Sequence, residues 1–168
     1  MELYLLRHGI AEDRNPEAPN DDSLRRLTAE GRTKMRRATG GMKSLELEFD
    51  LILASPYLRT KETAKIVAEG LGCEELMEVS GALASEGGNP RVLIEELKRD
   101  YGECESLLVV GHEPYLSRLI GRLISGDDRS LVTMKKGALC KLAVGDLSYG
   151  RCACLEWLLT SSQLRQAG

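Results

Sequence analysis

Three short apolar runs, LYLL at residues 3–6, LILA at 51–54 and LLVV at 107–110, each stop abruptly. They end at Arg7-His8, Ser55-Pro56 and Gly111-His112. Continuous aliphatic runs of this length suit strands buried on both faces of a sheet. Segments of helical spacing lie between them. Thr28 can cap a helix running to about Leu45, with Glu30 in its first turn. Leu58, Ile66, Val67 and Leu71 mark a second helix from Tyr57 to about Leu71, and Gly72 stands where a C-terminal cap belongs. Pro90 fits the first turn of a third helix reaching about Arg99, and Pro114 opens a fourth through about Ile124. Leu76–Val79 reads as a short strand, Ala138–Val144 with Cys152–Leu159 as a closing antiparallel pair. The polar stretch from Glu12 to Asp22 reads as a loop. The expected fold is α/β: a three-layer sandwich with a mostly parallel central sheet, helices on both faces and a C-terminal antiparallel strand pair. No repeat or linker divides the chain, so residues 1–160 are expected to form one domain, with 161–168 as a C-terminal tail.

Composition removes several classes of function. Aromatic residues are 4% of the 168, too few for a stacking platform on single-stranded nucleic acid. The net charge of −3 lacks the overall basic footprint of a nucleic-acid binder. No apolar run reaches the roughly 18 residues of a membrane span, and the first strand begins at Glu2, leaving no room for a signal peptide. A soluble cytoplasmic protein is expected. Five cysteines show no C-x-x-C spacing, and Cys152 and Cys154 alternate in an apolar run. They read as buried thiols on one strand face rather than as a disulfide framework.

If the three apolar strands are parallel neighbours, their C-terminal ends share one edge, where open α/β sheets hold their ligands. His8 and His112, the only two histidines, both fall there. Either histidine alone reads as a surface or satisfied core residue, and Arg59 alone as a solvated helix charge. A zinc site would need third and fourth ligands, and no H-x-x-x-H or H-x-x-E pair supplies them. Arg7 shifts the balance toward oxyanion chemistry, because a guanidinium fork stays charged and grips two phosphate oxygens together. Arg59, one turn into the next helix, offers a second fork, so the pair could neutralise a dianion.

Leu6-Arg7-His8-Gly9 resembles the R-H-G signature of the histidine phosphatase (phosphoglycerate mutase-like) superfamily. Ser55-Pro56-Tyr57-Leu58-Arg59-Thr60-Lys61-Glu62-Thr63-Ala64 is similar to its S-P-x-x-R-x-x-x-T-A segment, Gly111-His112-Glu113-Pro114 to its second G-H motif, and Leu27-Thr28 with Gly31 to its L-T-x-x-G helix start. The matches occur in family order. The small size and the R-H-G-I-A-E opening most resemble the SixA branch of phosphohistidine phosphatases. The resemblance implies attack by His8 on phosphorus, a covalent phosphohistidine and its hydrolysis by water. Arg7, Gly9, Arg59 and His112 would bind the phosphoryl oxygens, with His112 best suited as imidazolium. No cofactor and no metal are implied.

A general acid is harder to assign. The candidates are Glu12, just beyond the R-H-G-I-A run, and Glu86, in a loop where Asn89 stands in place of the Asp of the related G-D-P loop. Each also reads as a solvated loop charge. Glu113 beside His112 is a further possibility. A phosphohistidine, whose leaving imidazole departs neutral, asks little of such an acid. The stretch from Arg59 to the third strand is also too short for a large helical lid. The expected partner is therefore a phosphorylated, phosphohistidine-bearing protein. A small phosphorylated substrate is the alternative, and a non-catalytic phosphate- or phosphoprotein-binding module the reading from another class. A mutase, which must keep its phosphoryl group from water, fits an open site less well. The basic cluster Arg32, Lys34, Arg36 and Arg37, like Lys135-Lys136, stays open between a solvated face and a docking surface for an acidic partner.

Overall fold

A computed structural model describes residues 1–14, 17, 19–129 and 132–168, with 19–21 described by backbone alone. Part of the loop expected between Glu12 and Asp22 therefore lies outside the described residues. Among the described residues six strands form one sheet: β1 (Glu2–Arg7), β2 (Leu51–Ala54), β3 (Met77–Val79), β4 (Ser106–Gly111), β5 (Leu139–Val144) and β6 (Ala153–Leu159). Their spatial order is β3-β2-β4-β1-β5-β6. The first four are mutually parallel, while β5 runs antiparallel to β1 and β6 antiparallel to β5. This is the α/β architecture expected from the apolar runs.

Alternation along the strands divides the core. Leu3, Leu5, Leu53, Leu107 and Val109 face one side, against α3 (Pro90–Asp100) and α4 (Tyr115–Ser125). Tyr4, Leu6, Ile52, Leu108 and Val110 face the other, against α1 (Ala29–Ser44), α2 (Leu58–Leu71) and α5 (Ser161–Ala167). Because both faces are covered, β1, β2 and β4 have almost no exposed side chain, which is why they read as unbroken aliphatic runs. On the second face Tyr4 meets Phe49 and Trp157, with ring centroids 5.1 and 5.9 Å away.

Chain ends of the helices follow their local chemistry. Thr28 Oγ1 accepts from the Gly31 amide, Asn89 caps α3 with Pro90 behind it, and Gly72 closes α2 at φ 74°. Two boundaries shift by a residue: Tyr57 and Pro114 are N-caps and not the first helical residues.

The segment expected as a C-terminal tail carries α5. Thr160 and Gln163 form a reciprocal capping box, and Leu164 is fully buried. Gly41 on α1 permits this docking, since a Cβ there would stand 1.8 Å from the Leu164 carbonyl oxygen. Gly41→Ala should push α5 away and cost about 1–3 kcal/mol. A thermal melt, with limited proteolysis near residue 160, checks this.

The cysteines need correction. Only Cys140, on β5, is fully buried, and burial pushes its thiol up to about 12. Cys73, Cys104 and Cys152 are partly exposed and Cys154 is exposed; all five are free. The cause is topological: β6 is the sheet's edge, with a solvated face, and begins at Ala153, so Cys152 lies in the preceding turn.

Candidate active site

Strand register brings the polar ends together. Arg7 pairs with Gly111 and Ala54 with Val110 across the parallel ladder. The next residues continue it: the His8 amide donates to the Gly111 carbonyl at 3.1 Å and the Ser55 amide to the Val110 carbonyl at 3.0 Å. His8, Ser55 and His112 therefore leave one edge side by side. The two imidazole centroids are 5.3 Å apart, and both rings are buried.

His8 is fixed by its neighbour. Its Nδ1 lies 2.7 Å from the Gly9 carbonyl oxygen, which can only accept, so Nδ1 carries the proton and Nε2 the lone pair. Gly9 enters differently from the phosphate-binding role expected of it: its amide donates to Thr63 Oγ1 at 3.1 Å. Burial, together with the charges of Arg59, Arg7 and Lys136, pushes the His8 pKa down to about 3 against the opposing Gly9 hydrogen bond.

Arg59 reaches across from the first turn of α2. Its Nε donates to His8 Nε2 at 3.3 Å. The rest of its fork is occupied. Nη1 donates to the Asp22 carbonyl at 2.6 Å and Nη2 to Asp22 Oδ2 at 3.0 Å. Asp22 in turn accepts from Arg14 and Arg25 through Oδ1 at 3.1 and 2.8 Å. Burial pushes this carboxyl up, but the three guanidinium groups outweigh it and hold it down at about 2. Asp22 sits in a 3₁₀ turn (Pro19–Leu24) within the stretch expected as loop. No periodicity or motif marked it.

On the other side, Ser55 Oγ lies 2.7 Å from His112 Nε2 and accepts from the Tyr57 amide at 3.5 Å. Ser55 can donate to Nε2 or accept from it; with the hydroxyl donating, the ring proton stands on Nδ1. His112 Nδ1 is buried and, among the described residues, has no hydrogen-bond partner. Burial first, then Arg59 and His8, push the His112 pKa down to about 3, so without an anion the ring is neutral. A neutral ring protonated at Nδ1 still offers one donor. Arg7 gives Nη1 to the Met134 carbonyl at 2.7 Å and keeps a buried Nε without partner. Glu113 accepts from Ser117 at Oε2 (2.6 Å), leaves Oε1 buried and unpartnered, and is pushed up by burial. Arg59 thus brings a donor to the lone-pair nitrogen of His8, the His112 ring lies beside it, and the charge of Arg7 is felt there, an arrangement able to hold a tetrahedral oxyanion.

The two carboxylates singled out as general acids lie apart from this cluster in their bonding. Glu12 is exposed and accepts from the Arg26 amide, and Glu86 is exposed in its loop. Among the described residues, no group of three or more His, Cys, Asp or Glu is disposed to hold a metal ion. Among the described residues, no helix is long and apolar enough to cross a membrane.

Acid should destabilise the native state. Below their ordinary value of 6.5 the unfolded chain protonates both histidines, while the folded one resists down to about 3. Stability therefore falls as pH drops through that window, and Asp22, held at about 2 against 3.8, adds to the loss at its lower end. Urea midpoints should decline from about pH 7 to about pH 4, and less steeply in His8→Ala.

The comparisons with known proteins agree with this geometry. A family model described as the histidine phosphatase superfamily (branch 1) matches residues 3–83. The phosphohistidine phosphatase SixA of Escherichia coli K12 is 25% identical over 169 residues, covering 99% of this chain and 98% of that protein. A SixA homolog of Haemophilus influenzae is 30% identical over 132 residues, covering 73% and 77%. The solved structure of protein histidine phosphatase SixA with tungstate superposes with a TM-score of 0.83 at 25% identity, covering 98% and 99% of the two chains. With the motifs, the strand-end histidines and these relatives in accord, the chain belongs to the histidine phosphatase superfamily, in its SixA-type branch.

Proposed function

We propose that this histidine phosphatase dephosphorylates a phosphorylated protein histidine through a phosphohistidine on His8. The observation that carries the reading is the fixed tautomer of His8, with Nε2 bare and Arg59 Nε 3.3 Å from it. In the first half-reaction Nε2 attacks phosphorus, and the bond to the leaving nitrogen breaks with its electron pair going to that nitrogen. In the second, water attacks the phosphoryl group, the bond to His8 breaks, and phosphate departs. Arg7, Arg59 and the Nδ1–H of His112 stabilise the charge on the equatorial oxygens. A SixA protein that takes up tungstate, a tetrahedral oxyanion, is in keeping with that use.

The carboxyl groups support a leaving group that needs little acid. Asp22 is ionised and bound to three arginines, so it is no proton donor. One observation favours a second reading. Glu113 has a raised pKa and a free buried Oε1 in the field of Arg7, which suits a proton donor to the alkoxide of a small phosphoester.

A substrate panel separates the two. Phosphohistidine peptides should be turned over with kcat/KM at least about tenfold above sugar and nucleotide phosphates, and Glu113→Gln should leave that rate within about threefold. A preference for a small phosphoester, lost in Glu113→Gln, would replace the first reading by the second.

A further inference from the structure

A cleft of about 460 Å³ is lined by Arg7 and Gly9, the residues on either side of His8. Three elements wall it: α1 brings Lys34, the turn before β5 brings Lys135 and Lys136, and α5 brings Arg165. Cations from four places in the sequence thus face one cavity of a chain whose net charge is −3.

Only part of this charge is answered internally. Lys34 pairs with Glu30 one turn back, and Arg165 donates Nε to the Ser161 carbonyl at 3.1 Å. Lys135 and Lys136 are exposed and, among the described residues, have no ion-pair partner. Like charges gathered without counter-charge cost self-repulsion, which an anionic ligand would relieve. Their disposition says which kind. A compact second phosphate calls for buried, bidentate guanidinium groups, whereas exposed ammonium groups on flexible stems suit carboxylates spread along a polypeptide. Arg7 and Gly9, which line the cleft, flank His8 in the chain, so a segment continuing from a side chain at His8 lies within its reach.

We infer that this cleft docks an acidic polypeptide segment flanking the phosphorylated histidine of the substrate protein, with Lys135 and Lys136 as its charge-reading rim. The inference rests on the phosphohistidine reading above and adds the chemistry of the partner. It assigns the two lysines, and Lys34 of the basic α1 cluster, a shared task.

Three phosphohistidine peptides with acidic, neutral or basic flanks, and an aryl phosphate as reference, test it on the full chain. The acidic peptide should exceed the neutral one by about tenfold in kcat/KM, through KM, and lose that lead at high salt. Lys135→Glu, in an exposed turn, should cut the ratio of acidic-peptide to aryl-phosphate kcat/KM by about tenfold, and adding Arg165→Glu should cut it further. Lys136 is left intact because its charge is felt at His8. Equal rates on the three peptides, or an acidic preference unmoved by Lys135→Glu, would overturn the docking site while leaving the phosphohistidine reading in place. Hydrolysis of the aryl phosphate with none of the peptides turned over would instead remove that reading, and the docking site with it.

Discussion

His8→Ala should lower turnover of an aryl phosphate by about 10⁴-fold or more, because no other group can take the phosphoryl. The neighbouring imidazole is engaged elsewhere, with His112 Nε2 at 2.7 Å from Ser55 Oγ. The variant should still fold, since His8 contributes a single side-chain hydrogen bond to Gly9 and accepts one from Arg59. Rapid quench with labelled substrate checks the covalent step. The wild type should yield an acid-labile phosphoenzyme and the variant none. Undiminished turnover in the variant would end the mechanism.

Arg59→Ala should cost about 10²- to 10³-fold in kcat, the usual loss when a preorganised donor to a developing oxyanion is removed. The more discriminating change is Asp22→Asn. Asp22 ties down both terminal nitrogens of Arg59, so that Nε is the edge presented to His8. It is a positioning residue in this reading. Its neutral amide should lower kcat by about tenfold through a loosened Arg59. The same change removes a negative charge beside the anion site, so inhibition by inorganic phosphate should strengthen. A merely structural role would weaken phosphate binding along with kcat. Steady-state kinetics with phosphate as competitive inhibitor distinguish them.

Much of this architecture was legible because burial on both faces writes strands as unbroken aliphatic runs. LYLL, LILA and LLVV became β1, β2 and β4, and the parallel register then placed Arg7, His8, Arg59 and His112 around one edge. Asp22 escaped notice for a physical reason. Its role depends on a 3₁₀ turn folding over α2, and nothing in a polar, aperiodic segment foretells which carboxylate will meet which arginine. Ser55 stands out in the sequence as a strand terminator and as the first residue of the S-P-x-x-R segment, but neither signal foretells that its hydroxyl meets His112 Nε2 at 2.7 Å. The short α5 carries too little periodicity to stand out; its stability comes from Leu164 packing where Gly41 lets the chains approach. Cys154 misled because alternation indicates a face but not whether a further layer covers it.

Trp157, the single tryptophan, stands on β6 against Tyr4 and is remote in bonding from the histidine pair. Its fluorescence is consequently an intrinsic gauge of the antiparallel ribbon. Emission that shifts during denaturation yet stays constant through an oxyanion titration would allow loss of structure and occupancy to be followed separately, without a label.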